Sequence, residues 1–86
     1  MAFTKVGYTL GTASAQGLFD QIRVDSGVLE SLKTAVLDSA NTFGAAVGAG
    51  PADGAKWTHP QTRVKYNVAY RILTGGSVTV TDIQPR

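Results

Sequence analysis

The chain has 86 residues, of which 43% are hydrophobic and only 16% are charged, and its eight basic and six acidic side chains give a formal net charge of +2. This length predicts a single domain near the size at which one core stabilises only modestly, so association with other chains is expected. The absence of cysteine excludes disulfides and thiolate chemistry, and the basic residues form no block of like charge, so we do not expect nucleic acid as a partner.

The N-terminal residues predict a strand. Apolar and polar side chains alternate from Phe3 to Leu10, which is the period of a half-buried strand. The segment lacks the basic start and the apolar core of a signal peptide, and no window approaches the roughly 18 apolar residues of a membrane span. We therefore expect a protein that is made in the cytoplasm and has no membrane segment.

Two helices are predicted after this strand. Apolar residues at three- and four-residue spacing indicate a short helix from Ser14 to about Val24 and a longer one from Val28 to Phe43. Between them, residues 25–27 (Asp-Ser-Gly) interrupt the helical pattern and supply a side-chain oxygen that can cap the second helix. The apolar stripe of that helix consists of Val28, Leu29, Leu32, Ala35, Val36, Ala40 and Phe43.

A flexible loop is predicted over residues 44–60. Its first part, GAAVGAGPADGAK from Gly44 to Lys56, is rich in glycine and alanine and offers little apolar surface to bury. Because ordering such a segment is costly, we expect neighbouring subunits to fix it, with Trp57 as an anchor and Lys56 and His59 at the polar rim. Trp57 as a lid over the edge of the core is the alternative.

The C-terminal third predicts a long β-hairpin. In its first strand five side chains share one face, namely Val64, Tyr66, Val68, Tyr70 and Ile72. In its second strand, strict alternation puts Val78 and Val80 on one face and Thr79, Thr81 and Ile83 on the other. Together with the helices, these strands predict an α+β fold in which the long amphipathic helix packs on a mainly antiparallel sheet.

The register of the hairpin follows from its turn. A two-residue turn at Gly75 and Gly76 would mix the apolar and polar faces of the two strands. A three-residue loop over 74–76, with Gly76 left-handed, pairs Ile72 with Val78 and Tyr70 with Val80. We therefore predict the three-residue loop.

No catalytic or metal-binding constellation is predicted. His59 is the only histidine, which excludes a multi-histidine metal site, and beside a proline it is more typical of a loop than of a general base. The helical carboxylates are interpreted as caps and solvated positions, and the glycines of residues 47–54 lack the lysine that closes a phosphate loop. We expect no enzyme activity, no metal and no cofactor.

One cationic cluster is predicted on the polar face of the hairpin. Arg63, Lys65 and Arg71 alternate with the apolar residues of the first strand, and Arg86 joins them. Such residues solvate a sheet, pair with the carboxylates of a partner or contact phosphate. The interface candidates are therefore Lys56, Trp57, His59, Arg63, Lys65, Arg71 and Arg86.

The hairpin carries the pattern Tyr-Arg-Ile, a turn, Val-x-Val, Ile and a final Arg, formed by Tyr70, Arg71, Ile72, Val78, Val80, Ile83 and Arg86. It resembles the C-terminal sheet of the RelE/ParE toxin superfamily, whose members run strand, two helices and antiparallel sheet. That resemblance implies an endoribonuclease or a topoisomerase poison. The ribonuclease members add a C-terminal tyrosine or histidine over the sheet, and no such residue follows Arg86 in this sequence, so we expect no catalysis by that route.

A second pattern covers more of the chain, and consists of Ser26, Val28, Leu32, Val36, Ala40 and Asn41 followed by GAAVGAGPADG. Its layout of strand, helix, alanine-bearing helix, Ala/Gly-rich loop and antiparallel sheet is similar to the small neck or tail-completion proteins of tailed phages, particularly those of actinobacterial hosts. That resemblance implies a virion protein that joins head to tail as an oligomeric ring, with other connector or tail proteins as partners and no catalytic residue. This is the first hypothesis for function, and the toxin is the alternative.

Overall fold

The computed structural model describes residues 3, 5–9, 13–43 and 54–86, which form two helices on one four-stranded sheet. The elements in chain order are β1 (Lys5–Tyr8), α1 (Ala13–Arg23), α2 (Ser26–Phe43), β2 (Ala55–Thr58), β3 (Lys65–Leu73) and β4 (Ser77–Pro85). The strands lie in the order β1-β4-β3-β2, with β1 parallel to β4 and the other neighbours antiparallel. The predicted α+β fold is confirmed.

The core lies between α2 and the face of the sheet that the helices cover, which we call the inner face. The apolar stripe of α2 points into it through Val28, Leu32, Val36 and Ala40, as the helical spacing predicts. Alternating strand residues meet this stripe from the sheet, namely Val6, Tyr66, Val68, Tyr70, Ile72, Val78 and Val80. Phe43 is an exception, because it is the last residue of α2 and its side chain is 43% exposed.

The junction between α1 and α2 depends on Asp25. Its Oδ1 accepts hydrogen bonds from the backbone N–H groups of Gly27 (3.1 Å) and Val28 (3.2 Å), which caps α2 as predicted. Its Oδ2 accepts a bond of 2.7 Å from Nε2 of Gln61, in the turn after β2. These hydrogen bonds lower the pKa of the Asp25 carboxyl below its usual value of 3.8, and the largest cause is the bond from the backbone N–H of Val28.

Polar contacts also join α2 to the sheet. The Ser39 hydroxyl and the Tyr70 hydroxyl lie 2.8 Å apart, and Nε1 of Trp57 donates to Oγ of Ser31 at 3.1 Å. Since buried polar groups of aromatic side chains need partners, these bonds let Tyr70 and Trp57 enter the core. They fix the rotation of α2 over β2 and β3.

The hairpin has the predicted register. Ile72 pairs with Val78 and Tyr70 pairs with Val80 across the loop of residues 74–76, and Gly76 has a φ of 80°. The prediction for Ile83 is wrong, since this side chain is only 4% exposed in the core.

A β-bulge explains the position of Ile83. Ala69 pairs with Asp82 and Tyr70 pairs with Val80, so Thr81 is an extra residue in β4 with no residue opposite it. One extra residue reverses the alternation that follows, and Ile83 therefore turns to the inner face.

Two predictions at the start of the sheet also need correction. The loop predicted over 44–60 is wrong for residues 55–58, which form β2 and pair with β3, while residues 44–53 lie outside the described part of the chain. Val64 is 41% exposed and precedes β3, because a turn with Arg63 at a φ of 64° delays the start of the strand.

Candidate interaction surface

The helices cover only one side of the sheet, and the opposite side, which we call the outer face, carries the polar half of each strand. Its residues are Lys5 and Gly7 from β1, Lys56 and Thr58 from β2, Lys65, Asn67, Ala69, Arg71 and Leu73 from β3, and Ser77, Thr79, Thr81, Asp82 and Gln84 from β4. This face follows from the same alternation that builds the core, since consecutive strand residues point to opposite sides.

The fold separates charges that are scattered in the sequence. Among the described residues, the helical layer carries four carboxylates and two cations, whereas the strands and their turns carry six cations and one carboxylate. The helical set is Asp20, Arg23, Asp25, Glu30, Lys33 and Asp38, and the sheet set is Lys5, Lys56, Arg63, Lys65, Arg71, Asp82 and Arg86. The sheet side is therefore strongly cationic and the helical side is weakly anionic.

Four of the cations lie on the outer face itself, and we call Lys5, Lys56, Lys65 and Arg71 the basic surface. The exposed ends of their side chains can meet carboxylates or phosphates of a partner. Asp82 lies between them in the sheet and accepts a bond of 2.7 Å from Nε2 of Gln84. The basic surface is thus positive at both ends of the strands, with Lys5 and Arg71 at one end and Lys56 and Lys65 at the other, and its centre is polar.

Arg71 lies in a shallow concavity on this face. The concavity has a volume of ≈ 410 Å³ and is also lined by Thr9, Leu73, Thr79 and Thr81. Hydroxyl groups beside a guanidinium offer donors for an oxyanion, and Leu73, 41% exposed, adds an apolar contact. Arg71 is therefore a predicted interface residue with a shaped environment, and Lys56 is another, since it lines a concavity with Asp38 and Ser39 at the edge of the sheet.

The remaining predicted cations lie at the far end of the sheet. Lys65 begins β3, and the backbone N–H of Arg86, which directly follows β4, donates to its carbonyl oxygen at 2.9 Å, so these two residues lie side by side. Arg63 is exposed in the turn before β3. The predicted cluster therefore divides into Arg71 at one end of β3 and Lys65, Arg63 and Arg86 at the other.

Trp57 is a core residue in this chain. It is 4% exposed, its ring stacks on Tyr66 with 5.6 Å between centroids, and it pairs with Tyr66 across β2 and β3. The predicted position of Trp57 in a flexible loop is therefore wrong, and its burial agrees with the alternative of a residue over the edge of the core. Alternation in β2 explains this, because Ala55 and Trp57 face inward while Lys56 and Thr58 face outward. The role of Trp57 as an interface anchor stays a prediction.

His59 has a structural role in the turn between β2 and β3. Its Nδ1 accepts hydrogen bonds from the backbone N–H groups of Gln61 (3.1 Å) and Thr62 (3.2 Å). Its own backbone bonds to Val64 and Arg63 close the same turn. The imidazole is thus held by the turn and lies near Trp57, with 5.5 Å between ring centroids and an angle of 48° between the ring planes.

Tyr8 is the one titratable group with a strongly raised pKa among the described residues. It packs against Phe19 with 4.0 Å between ring centroids, and its buried hydroxyl has no hydrogen-bond partner in the described part of the chain. Burial first, and then the negative charge of Glu30, raise the pKa of Tyr8 to about 12. The phenol therefore stays neutral near pH 7.

Sequence reasoning placed Thr79 and Thr81 on the polar face of β4 but missed Lys5 and Thr9 as parts of this surface. They meet because β1 pairs in parallel with β4, which places Gly7 beside Thr79 and lets the N–H of Thr9 donate to the Val80 carbonyl at 3.0 Å. A parallel pairing needs a long connection between its strands, and here that connection contains both helices and also β2 and β3, so no local sequence pattern predicts the pairing.

Comparison with known protein families, with curated proteins and with solved structures found no match to this chain. Neither of the described helices is long and apolar enough to span a membrane. Within the described residues, no group of three or more histidine, aspartate or glutamate side chains is placed to hold a metal ion.

Proposed function

We propose that this chain is a structural virion protein of a tailed phage, a subunit of an oligomeric ring at the neck or tail. The observation that carries the proposal is the one-sided sheet, whose outer face presents cations, hydroxyls and Leu73 without a second layer of the chain's own described residues. A polar face with a few charged and apolar contacts is typical of surfaces that dock on another protein.

The virion assignment itself rests on the resemblance of the α2 sequence and the Ala/Gly-rich segment to neck and tail-completion proteins. Under this proposal the partners are copies of the chain and other proteins of the head-tail connector or tail. The protein acts by joining them, with no enzyme activity and no cofactor. Its small core is then supplemented by contacts between subunits.

The test is native mass spectrometry of the purified chain, together with negative-stain electron microscopy and immunogold labelling of phage particles whose genome encodes it. We expect a discrete closed oligomer and label at the head-tail junction or the tail. A monomer at every concentration tested, together with unlabelled particles, would contradict the proposal.

A toxin of the RelE/ParE type is the second candidate, and one observation favours it. Of the seven residues that match the toxin pattern, the five apolar or aromatic ones are buried on the inner face, whereas Arg71 lies in the threonine-lined concavity of the outer face. Packing alone accounts for the buried five. It does not account for an arginine in a shaped and exposed site, which suits an anionic substrate or partner.

Expression in a bacterial host distinguishes this candidate from the first. The structural proposal expects normal growth and intact total RNA. Growth arrest that disappears with Arg71→Ala, but persists in the matched control Arg63→Ala, would favour the toxin. Arg63 suits the control because it is an exposed arginine in a turn outside the concavity.

A further inference from the structure

We infer that the basic surface of one copy docks on the acidic helical surface of the next copy, so that the chain assembles head to tail. This inference rests on the proposed assembly function and names the two surfaces that make the contact. The acidic surface consists of Asp20 on α1 and of Glu30 and Asp38 on α2, all exposed.

The helical layer keeps a net negative charge after its own ion pairs are counted. Arg23 lies 3.4 Å from Asp20, and Lys33 lies 3.3 Å from Glu30, so each cation of this layer is balanced by a neighbour on its own helix. Asp25 and Asp38 then leave the layer negative. Exposed pairs of this kind are weak and can exchange partners when a second cationic surface approaches.

The two surfaces lie on opposite sides of the molecule. The helices cover the inner face of the sheet, and the basic surface is on the outer face. The two surfaces approach each other at the edge strand β2, where Lys56 and Asp38 line one concavity, whereas Lys5, Lys65 and Arg71 lie on strands away from that edge. Two basic surfaces would repel each other face to face. Opposite charge on opposite sides therefore favours a head-to-tail contact, which closes into a ring or grows into a filament.

The spacing of the charges is compatible with this contact. Lys5 lies two strands and two residues from Arg71 in the observed register, so the two Cα atoms are about 12 Å apart at standard strand spacing. Glu30 and Asp38 are eight residues apart on one side of α2, which is also about 12 Å along a helix. One pair of cations can therefore face one pair of carboxylates.

The outer face suits a protein partner better than a nucleic acid. The aromatic side chains of the described strands, Tyr8, Trp57, Tyr66 and Tyr70, all belong to the inner face, so none is available on the outer face to stack with a base. Asp82 at the centre of the face also opposes a continuous phosphate track. A protein surface that carries both carboxylates and cations matches the charges of the outer face better than a nucleic acid does.

Complementary charge reversal tests the inference. The basic-surface variant is Lys5→Glu with Arg71→Glu, and the acidic-surface variant is Glu30→Lys with Asp38→Lys. The acidic-surface variant presents two positive surfaces, and the basic-surface variant loses the net positive charge of its basic surface, so each alone is expected to lose the oligomer in native mass spectrometry. A mixture of the two in equal amounts is expected to recover it, since the reversed surfaces complement each other.

The matched control is Arg23→Glu, which reverses an exposed arginine on the helical layer and is expected to keep the oligomer. Circular dichroism and thermal unfolding establish that every variant is folded. If the wild-type chain is monomeric under all conditions, the assembly proposal fails and takes this inference with it. If the wild type assembles and both reversed variants still assemble, only this inference is overturned.

Two further results would also overturn it. Loss of the oligomer in the basic-surface variant alone, with the acidic-surface variant unaffected, would assign the outer face to a different contact between copies. Binding of a single-stranded oligouridine RNA in fluorescence polarisation, lost in the basic-surface variant while the oligomer persists, would assign the outer face to nucleic acid.

Discussion

The inner and outer faces of the sheet are made by alternate residues of the same strands, yet they follow different rules. On the inner face Val68, Val78 and Val80 are fully buried, and their burial follows from local alternation and one apolar helix. On the outer face the candidate site consists of exposed residues from strands that are distant in sequence. Local pattern therefore specifies what stabilises the fold, whereas strand order decides which surface groups meet.

The largest effect on stability is expected from Trp57, which lies on the inner face. Trp57→Ala removes a side chain that is 4% exposed and leaves the Ser31 hydroxyl without its donor. We expect a loss of about 3–5 kcal/mol in the free energy of unfolding, measured by urea denaturation. An unchanged stability with loss of the oligomer would instead make Trp57 an interface anchor.

The next effect concerns Leu32, at the centre of the stripe on α2. Leu32 has no exposed surface, so Leu32→Ala should cost about 2–5 kcal/mol through lost burial and the cavity that remains. Val24→Ala is the matched control, because Val24 is 81% exposed and should change stability by less than about 0.5 kcal/mol. Equal effects in the two variants would remove Leu32 from the core.

Two glycines distinguish the cost of a close backbone contact from the cost of backbone strain alone. Both Gly54 and Gly75 have positive φ, but a Cβ at Gly54 would lie 2.5 Å from the Val68 carbonyl oxygen, whereas Gly75 has open space around it. Gly75→Ala should cost about 1–2 kcal/mol for the left-handed conformation, and Gly54→Ala should cost more. Equal thermal shifts in the two variants would show that β2 does not approach β3 as described.

The pH dependence of stability is expected to depend on Asp25. Because its folded pKa is lowered below 3.8, the carboxylate stabilises the native state fully above that value, and this contribution is lost as the pH falls through the folded pKa. Asp25→Asn keeps a capping oxygen but removes the titration, so its stability should fall less between about pH 5 and pH 2. Asp38→Asn, which removes a carboxylate from the exposed side of α2, should follow the wild type in the same urea titrations.

The smallest effect on stability is expected on the outer face. Lys5→Glu with Arg71→Glu should change the free energy of unfolding by less than about 0.5 kcal/mol, because both side chains are exposed. The same variant is expected to lose the oligomer. A large loss of stability would mean that these cations support the fold, and the two faces would no longer differ in role.

The elements that the sequence predicts well are those with strong local periodicity. α2 and the register of β3 with β4 follow from apolar spacing and from the loop of residues 74–76. Ile83 could not be predicted, because the bulge at Thr81 depends on pairing with β3 and not on the β4 sequence alone. β2 was missed because its four residues, AKWT, follow a segment rich in glycine and alanine.

The candidate site was predicted only in part. Arg71 and Lys65 were assigned to the polar face correctly, because alternation within β3 is a local property. Lys5 and Thr9 were missed, since they reach the site only through the parallel pairing of β1 with β4. The separation of cations from carboxylates was missed for the same reason, because it depends on which layer each element joins.

Sedimentation velocity of the wild-type chain over a series of salt concentrations tests most directly whether opposite charge on opposite layers drives assembly. We predict an oligomer at about 0.05 M NaCl that dissociates toward the monomer as the salt approaches about 1 M, where the Debye length is only about 3 Å. The monomer mass at every salt and protein concentration would contradict the account, and so would an oligomer that salt leaves unchanged.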